Sequence, residues 1–159
     1  MFKPTKKGLP NAGFTMLELV VVFLILSILT AMVWPVLIRQ VAKAKETEAI
    51  QMLSTIGFSQ QGYFFEHRQF ASNYGDLGLD ANGAHFNFPP PNTPAGGNYS
   101  ISQAVTQNAG LDASRNYSLG VYFNGSSYQL ILCQGSTPGG AVSAPSAIGG
   151  TCSGGVQID

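Results

Sequence analysis

Two hydrophobic rhythms follow one another along the chain. Leu19 to Ile38 is a run of twenty residues without a charge, and as a helix it would span about 30 Å, the thickness of a bilayer's hydrocarbon core. From Arg39 to about Glu66 the run gives way to helical spacing. Val41, Ala44, Ala49, Met52, Leu53, Ile56, Gln60, Tyr63 and Phe64 recur at three or four residues, with Lys43, Lys45, Glu46, Glu48 and Gln51 on the other face. The two patterns predict one helix of about fifty residues, buried first in lipid and then along a stripe against a head domain. Its stripe lacks the sustained heptads of a coiled coil. Pro35 has no amide hydrogen and crowds the preceding turn, so a kink or local melting is expected there.

Beyond the helix the rhythm changes to short runs. Residues 67–97 are loop-rich, punctuated by Pro89-Pro90-Pro91 and Pro94-Ala95-Gly96-Gly97. Asn98 to Gln103 is a short strand candidate, Tyr117 to Phe123 alternates, and Tyr128 to Cys133 is compactly apolar, with Asn124-Gly125-Ser126-Ser127 as a hairpin loop. These segments predict an α+β chain with a small antiparallel sheet of three or four strands, one face laid on the helix. Cys133 closes the last clear strand, and a stretch rich in Gly, Ser, Pro and Ala leads on to Cys152.

Composition adds a compartment. The 159 residues leave room for one modest domain once a membrane segment is subtracted, and the few charges are outnumbered by neutral polar residues. Such an exterior suits an extracellular or packed surface. In a translocated domain the pair Cys133 and Cys152 reads as one disulfide, with two free thiols as the alternative. The bond would pin the stretch between them to the sheet; without it a flexible tail is expected. Beyond Lys45 only Arg68 and Arg115 stand against seven acids, a balance that repels a phosphate backbone, so no direct nucleic-acid contact is expected.

The N-terminus carries the sharpest signal. Met1 to Gly13 is short, polar and basic through Lys3, Lys6 and Lys7, and it stops where the apolar run begins. A secretory signal peptide cut after Leu29-Thr30-Ala31 is the plain alternative, but the run continues past that point and the small-residue site is poor. Arg39, Lys43 and Lys45 balance the three leader lysines, leaving the α-amino group to tip orientation toward leader-inside. Glu18 then stands out, because an ionised acid at a bilayer centre costs about 2.5 to 3.5 kcal/mol even on a lenient scale. Near the helix N-terminus the macrodipole favours it, and snorkelling to the headgroups is one way to place it.

Gly13-Phe14-Thr15-Met16-Leu17-Glu18, the basic residues before it and the apolar helix with Pro35 after it resemble the class III signal of type IV prepilins and the related pseudopilins. The resemblance implies a pilin fold and cleavage between Gly13 and Phe14 by a prepilin peptidase on the cytoplasmic side. It also implies methylation of the new Phe14 amine and retention of the apolar helix. It gives Glu18 a partner, the N-terminal amine of a neighbouring subunit, so that two buried charges become one satisfied pair. Gln60 to Glu66 with Phe70-Ala71 is similar, more weakly, to the end of the long helix in cyanobacterial type IV pilins, the group called pilin-like G and H.

On that resemblance the chain divides into a leader (1–13), a transmembrane and assembly helix (14–38), the amphipathic half of the long helix (39–66), a connecting loop (67–97) and a β-sheet head with a C-terminal disulfide loop (98–159). The expected role is a structural subunit of a homo- or hetero-oligomeric type IV pilus. It would be held single-pass in the inner membrane, extracted at an inner-membrane assembly platform, and displayed at the cell surface. The alternative is a pseudopilin in a periplasm-spanning pseudopilus of type II secretion. The terminal cysteine pair favours the pilus, in which such bonded regions often lie outermost.

Catalytic chemistry is thin. His67 and His85 have no acid or cysteine at a ligand spacing. Gly150-Thr151-Cys152-Ser153-Gly154 has the outline of a nucleophile elbow without its strand-to-helix setting, and Asp80-Ala81-Asn82-Gly83 is too short for a calcium loop of the EF-hand type. The C-terminal calcium loop of some pseudopilins does not carry over either, since Asp159 alone supplies an acid there. The sequons at Asn98, Asn116 and Asn124 are a common accidental pattern. No catalytic residue, metal or cofactor is expected. A membrane-anchored hydrolase would need a convergent polar site that is not found, and a DNA-capturing minor pilin would need Arg68 and Arg115 to converge.

Overall fold

The computed structural model describes residues 13–94 and 97–158. The leader residues 1–12, Ala95-Gly96 of the connecting loop and Asp159 lie outside the described residues. The chain divides into two units after Leu37, and each is taken by itself. Helix α1, Met16–His67, begins in the first and ends in the second, one residue past the expected Glu66.

In the first unit every described residue is exposed. This part of α1 is long and apolar enough to cross a membrane, and none of its most apolar window is buried in protein. The hydroxyls of Ser27 and Thr30 donate to the carbonyls of Leu24 and Leu26, each at 2.8 Å, which satisfies them within the helix itself. The backbone stays α-helical through Pro35. The expected local melting is therefore not seen.

The second unit pairs the rest of α1 with an antiparallel sheet of five strands in the order β1-β2-β3-β4-β5. They are β1 (Phe86–Asn87), β2 (Tyr99–Thr106), β3 (Arg115–Phe123), β4 (Tyr128–Pro138) and β5 (Gly155–Ile158), with a short helix α2 (Ala109–Asp112) between β2 and β3. This α+β architecture matches the expectation, and the strand count corrects it. β1 lies inside the stretch read as connecting loop, because two residues cannot display alternation. β4 does not stop at Cys133 but continues to Pro138. That extension is polar and contains Gly135, so it resembles loop, yet Gln134 and Gly135 pair with Val156 and Gly155 of β5. The β3–β4 hairpin turns at Asn124-Ser127 as expected. Asn124 Oδ1 accepts the amides of Ser126 and Ser127 at 3.0 and 2.8 Å, and Gly125 supplies the positive φ of 97°.

Both faces of the sheet are covered. On one, Tyr117, Leu119 and Val121 of β3 join Ala49, Leu53, Ile56 and Phe64 of α1 in the main core. On the other, Ile101, Tyr122, Ile131 and Cys133 pack against Val142 and Ala144 from the stretch after β4. β3 is consequently buried along nearly its whole length. The helix lies close against the sheet at Gly57, where a Cβ would come within 2.8 Å of Leu119 Cδ2 and 3.1 Å of Leu130 Cδ2. The buried stripe of α1 runs through Ala42, Ala49, Leu53, Ile56, Gly57, Gln60 and Phe64. Val41 and Ala44, expected on it, are exposed, because Ala42 rather than its neighbours faces inward at that turn.

Candidate functional site

The N-terminal segment is built on one helix start. Thr15 stands three residues before Glu18 at the head of an apolar run, the spacing of a capping box. The amide of Glu18 donates to Thr15 Oγ1 at 3.2 Å and that of Leu19 to the Thr15 carbonyl at 3.2 Å. Thr15 is thus the N-cap and Glu18 the third residue of the first turn, where the helix dipole favours an anion. Gly13 and Phe14 precede the helix in irregular, exposed backbone, Phe14 being 69% exposed. The fold therefore places Gly13, Phe14 and the exposed Glu18 together. Pro35 lies further along α1, and the cysteines lie in the head. Thr15 was missed as a site residue, although the Thr-x-x-Glu spacing is legible.

In the head, α1 is fixed to the sheet by polar side chains. Glu46 Oε1 accepts the Arg115 amide at 2.8 Å, and Oε2 accepts the Tyr117 hydroxyl at 3.0 Å. Gln134 Nε2 donates to that same hydroxyl oxygen at 2.6 Å. Glu48 Oε1 accepts the Ala84 amide at 2.9 Å. Both acids were expected on the outer face of the helix. They are half-buried instead, because loop and strand amides that come against the helix need acceptors. Burial, foremost, pushes the Tyr117 hydroxyl up to about 12; the Gln134 bond works against this and Glu46 adds to it.

The cysteines are bonded to one another, Cα to Cα 5.8 Å. With its sulfur so engaged, Cys152 offers no thiol to the elbow-like stretch around it. The stretch after β4, closed by this bond, lies over the face of the sheet opposite α1 through Val142 and Ala144. Ser118 Oγ accepts the Ala144 amide at 3.0 Å, and the Tyr122 hydroxyl donates to the Pro145 carbonyl. Burial also raises Tyr122 to about 12, with Tyr99 adding to the shift. The Tyr122 ring lies where a Cβ on Gly120 would be, so only glycine fits there.

The remaining candidates stay apart. His67 stacks on Tyr63 with ring centres 4.1 Å apart, and His85 is half-buried elsewhere. Asn116 is buried at the β3 bulge, accepting the Thr106 amide and donating to the Gly139 and Gly140 carbonyls, so its sequon is closed to modification. Arg68 and Arg115 line different cavities. Among the described residues no cluster of three or more His, Cys, Asp or Glu side chains is placed to hold a metal.

The geometry thus comprises an exposed apolar helix with an acid in its first turn and a disulfide-closed head. Two family models match this chain. The type IV pilin-like G and H model matches residues 46–153, more than half of the chain, and the prokaryotic N-terminal methylation motif matches residues 10–34. No curated protein matches it.

Proposed function

The chain belongs to the type IV pilin-like G and H family, and from that premise we propose that it is a structural subunit of a type IV pilus, cut between Gly13 and Phe14 by a prepilin peptidase and methylated on the new Phe14 amine. At the coarser level it is a type IV pilin or pseudopilin subunit, in a structural family. The observation that carries the finer reading is positional. The methylation motif at residues 10–34 spans the start of a helix whose most apolar stretch is left uncovered by the protein itself.

That surface explains storage and assembly together. Sixteen large apolar side chains lie between Leu19 and Ile38, and at about 1.5 to 3 kcal/mol each their exposure to water would cost some tens of kcal/mol. The subunit therefore waits in the inner membrane and leaves it only into a filament, where neighbouring helices replace lipid. Glu18 meets the methylated amine of the next subunit there and sets the register. The disulfide-closed stretch over the face of the sheet opposite α1 favours a pilus over a type II secretion pseudopilus.

Mass spectrometry of the mature N-terminus tests the proposal. A chain beginning at N-methylated Phe14 is expected; one that keeps its first thirteen residues, or begins beyond Ala31, would refute it. Recovery of the protein in sheared surface filaments would separate the pilus from the pseudopilus.

A further inference from the structure

The bases beyond Gly13 number five (Arg39, Lys43, Lys45, Arg68 and Arg115) against eight acids. Three of the five line one cavity in the head. It has a volume of about 480 Å³ and is walled by Arg39, Lys43 and Glu46 of α1 and by Arg115 and Gln134 of β3 and β4. We propose that this cavity receives the phosphate of an anionic phospholipid headgroup while the subunit is stored in the membrane, an inference that rests on the membrane-anchored pilin proposed above.

Sequence position supplies the first argument. Arg39 directly follows Ile38, the last residue of the uncharged run, so the cationic lining begins where a membrane helix leaves hydrocarbon for headgroups. Arg39 and Lys43 are four residues apart and share a helix face. Arg115 joins them from the first residue of β3, across the cavity.

Among the described residues, Glu46 is the one lining carboxylate, and it is already engaged. Both oxygens of Glu46 accept bonds from the sheet, one from the Arg115 amide and one from the Tyr117 hydroxyl. Glu46 thus anchors the backbone that carries Arg115. The guanidinium is oriented by a long contact, Nη1 to Gln134 Oε1 at 3.4 Å, which directs it without saturating a five-donor group. Three cations around one such carboxylate, in a head that is otherwise acidic, make a local attraction for a phosphate monoester or diester. A lipid supplies that phosphate where, in sequence, the uncharged run ends.

A headgroup held here would steady the head during storage and would have to be left behind on extraction. Each cation contributes about fivefold to retention of an anionic lipid. The side chains of Lys43 and Arg115 can be neutralised without touching the amide that binds Glu46, so K43Q and K43Q/R115Q are suitable variants. The full-length chain, isolated in nanodiscs containing phosphatidylglycerol and phosphatidylcholine, is stripped and its retained lipids are counted by native mass spectrometry.

Wild type is expected to retain phosphatidylglycerol preferentially, K43Q to lose about fivefold of that preference and the double variant about twenty-fivefold. Equal retention of the two lipids by wild type, or an unchanged preference in the double variant, would overturn the proposal. Displacement of the lipid by low-millimolar inorganic phosphate would assign the cavity to a free anion and overturn it equally. The same spectra read the N-terminus. Methylated Phe14 without lipid preference defeats the headgroup site alone, and a preference on an unprocessed chain keeps the site while defeating the pilin reading.

Discussion

The buried side chain of Gln60 holds the backbone of Ala71 at both polar ends. Its Nε2 donates to the Ala71 carbonyl at 2.9 Å, and its Oε1 accepts the Ala71 amide at 2.9 Å. The pair ties the chain that leaves α1 back onto the helix, with the Phe70 ring tilted against that of Phe64, centres 4.6 Å apart. Gln60→Leu would keep the volume and strand two buried backbone groups. We expect a loss of about 2 to 3 kcal/mol, read as a thermal midpoint several degrees lower for the full chain in detergent.

Tyr117 and Tyr122 give the head an alkaline limit. Both are held at about 12 against an ordinary 10.0, so the unfolded chain ionises before the folded one. The stability from their burial is complete below about pH 10 and is lost as pH rises through about 12. Urea midpoints measured from about pH 9 to about pH 12 should fall across that window. Tyr117→Phe combined with Tyr122→Phe should flatten the fall, whatever it does to stability at neutral pH.

Two glycines of α1 should respond in opposite directions. At Gly57 a Cβ meets Leu119 and Leu130, whereas at Gly62 it meets nothing within 4 Å. Gly57→Ala is expected to destabilise by about 1 to 3 kcal/mol through overpacking. Gly62→Ala should stabilise by about 0.5 to 1 kcal/mol by restraining the unfolded chain. Denaturation of the two variants side by side checks both; a gain at Gly57 would place the sheet farther from the helix than described.

Glu18 and Thr15 can be separated. The cap uses the amide of Glu18, not its carboxylate, so Glu18→Ala leaves the cap in place and is expected to insert in the membrane normally while failing to assemble. Thr15→Val removes the cap at a cost of about 1 kcal/mol and should fray the helix start while filaments still form. Sheared filaments or cross-linked oligomers at wild-type levels from Glu18→Ala would refute the assembly role.

What the sequence discloses here depends on how many residues repeat a signal. The long helix, the apolar run and the hairpin at Asn124-Ser127 are each written over many positions or in special turn chemistry, and the structure agrees with them. β1 and β5 are written over too few, and they exist because β2 and β4 offer paired edges to them. Glu46 and Glu48 looked solvated because a single helix pattern cannot reveal that the Arg115 and Ala84 amides arrive from afar. At the N-terminus Gly13, Phe14 and Glu18 could be proposed together because they are neighbours in sequence. The polar ties of the head join residues as many as 71 positions apart, and no local pattern announces them.

Glu46, Glu48 and Gln60 would have a mechanical consequence if, as proposed, the subunit is extracted by its helix. Greasy contacts let a rod slip with gradually mounting resistance, but hydrogen bonds fail within a fraction of an ångström. Three such attachments, spaced along the rod and directed to Arg115, Ala84 and Ala71, share an axial load as shear, so the head resists creeping along the rod until the attachments give way.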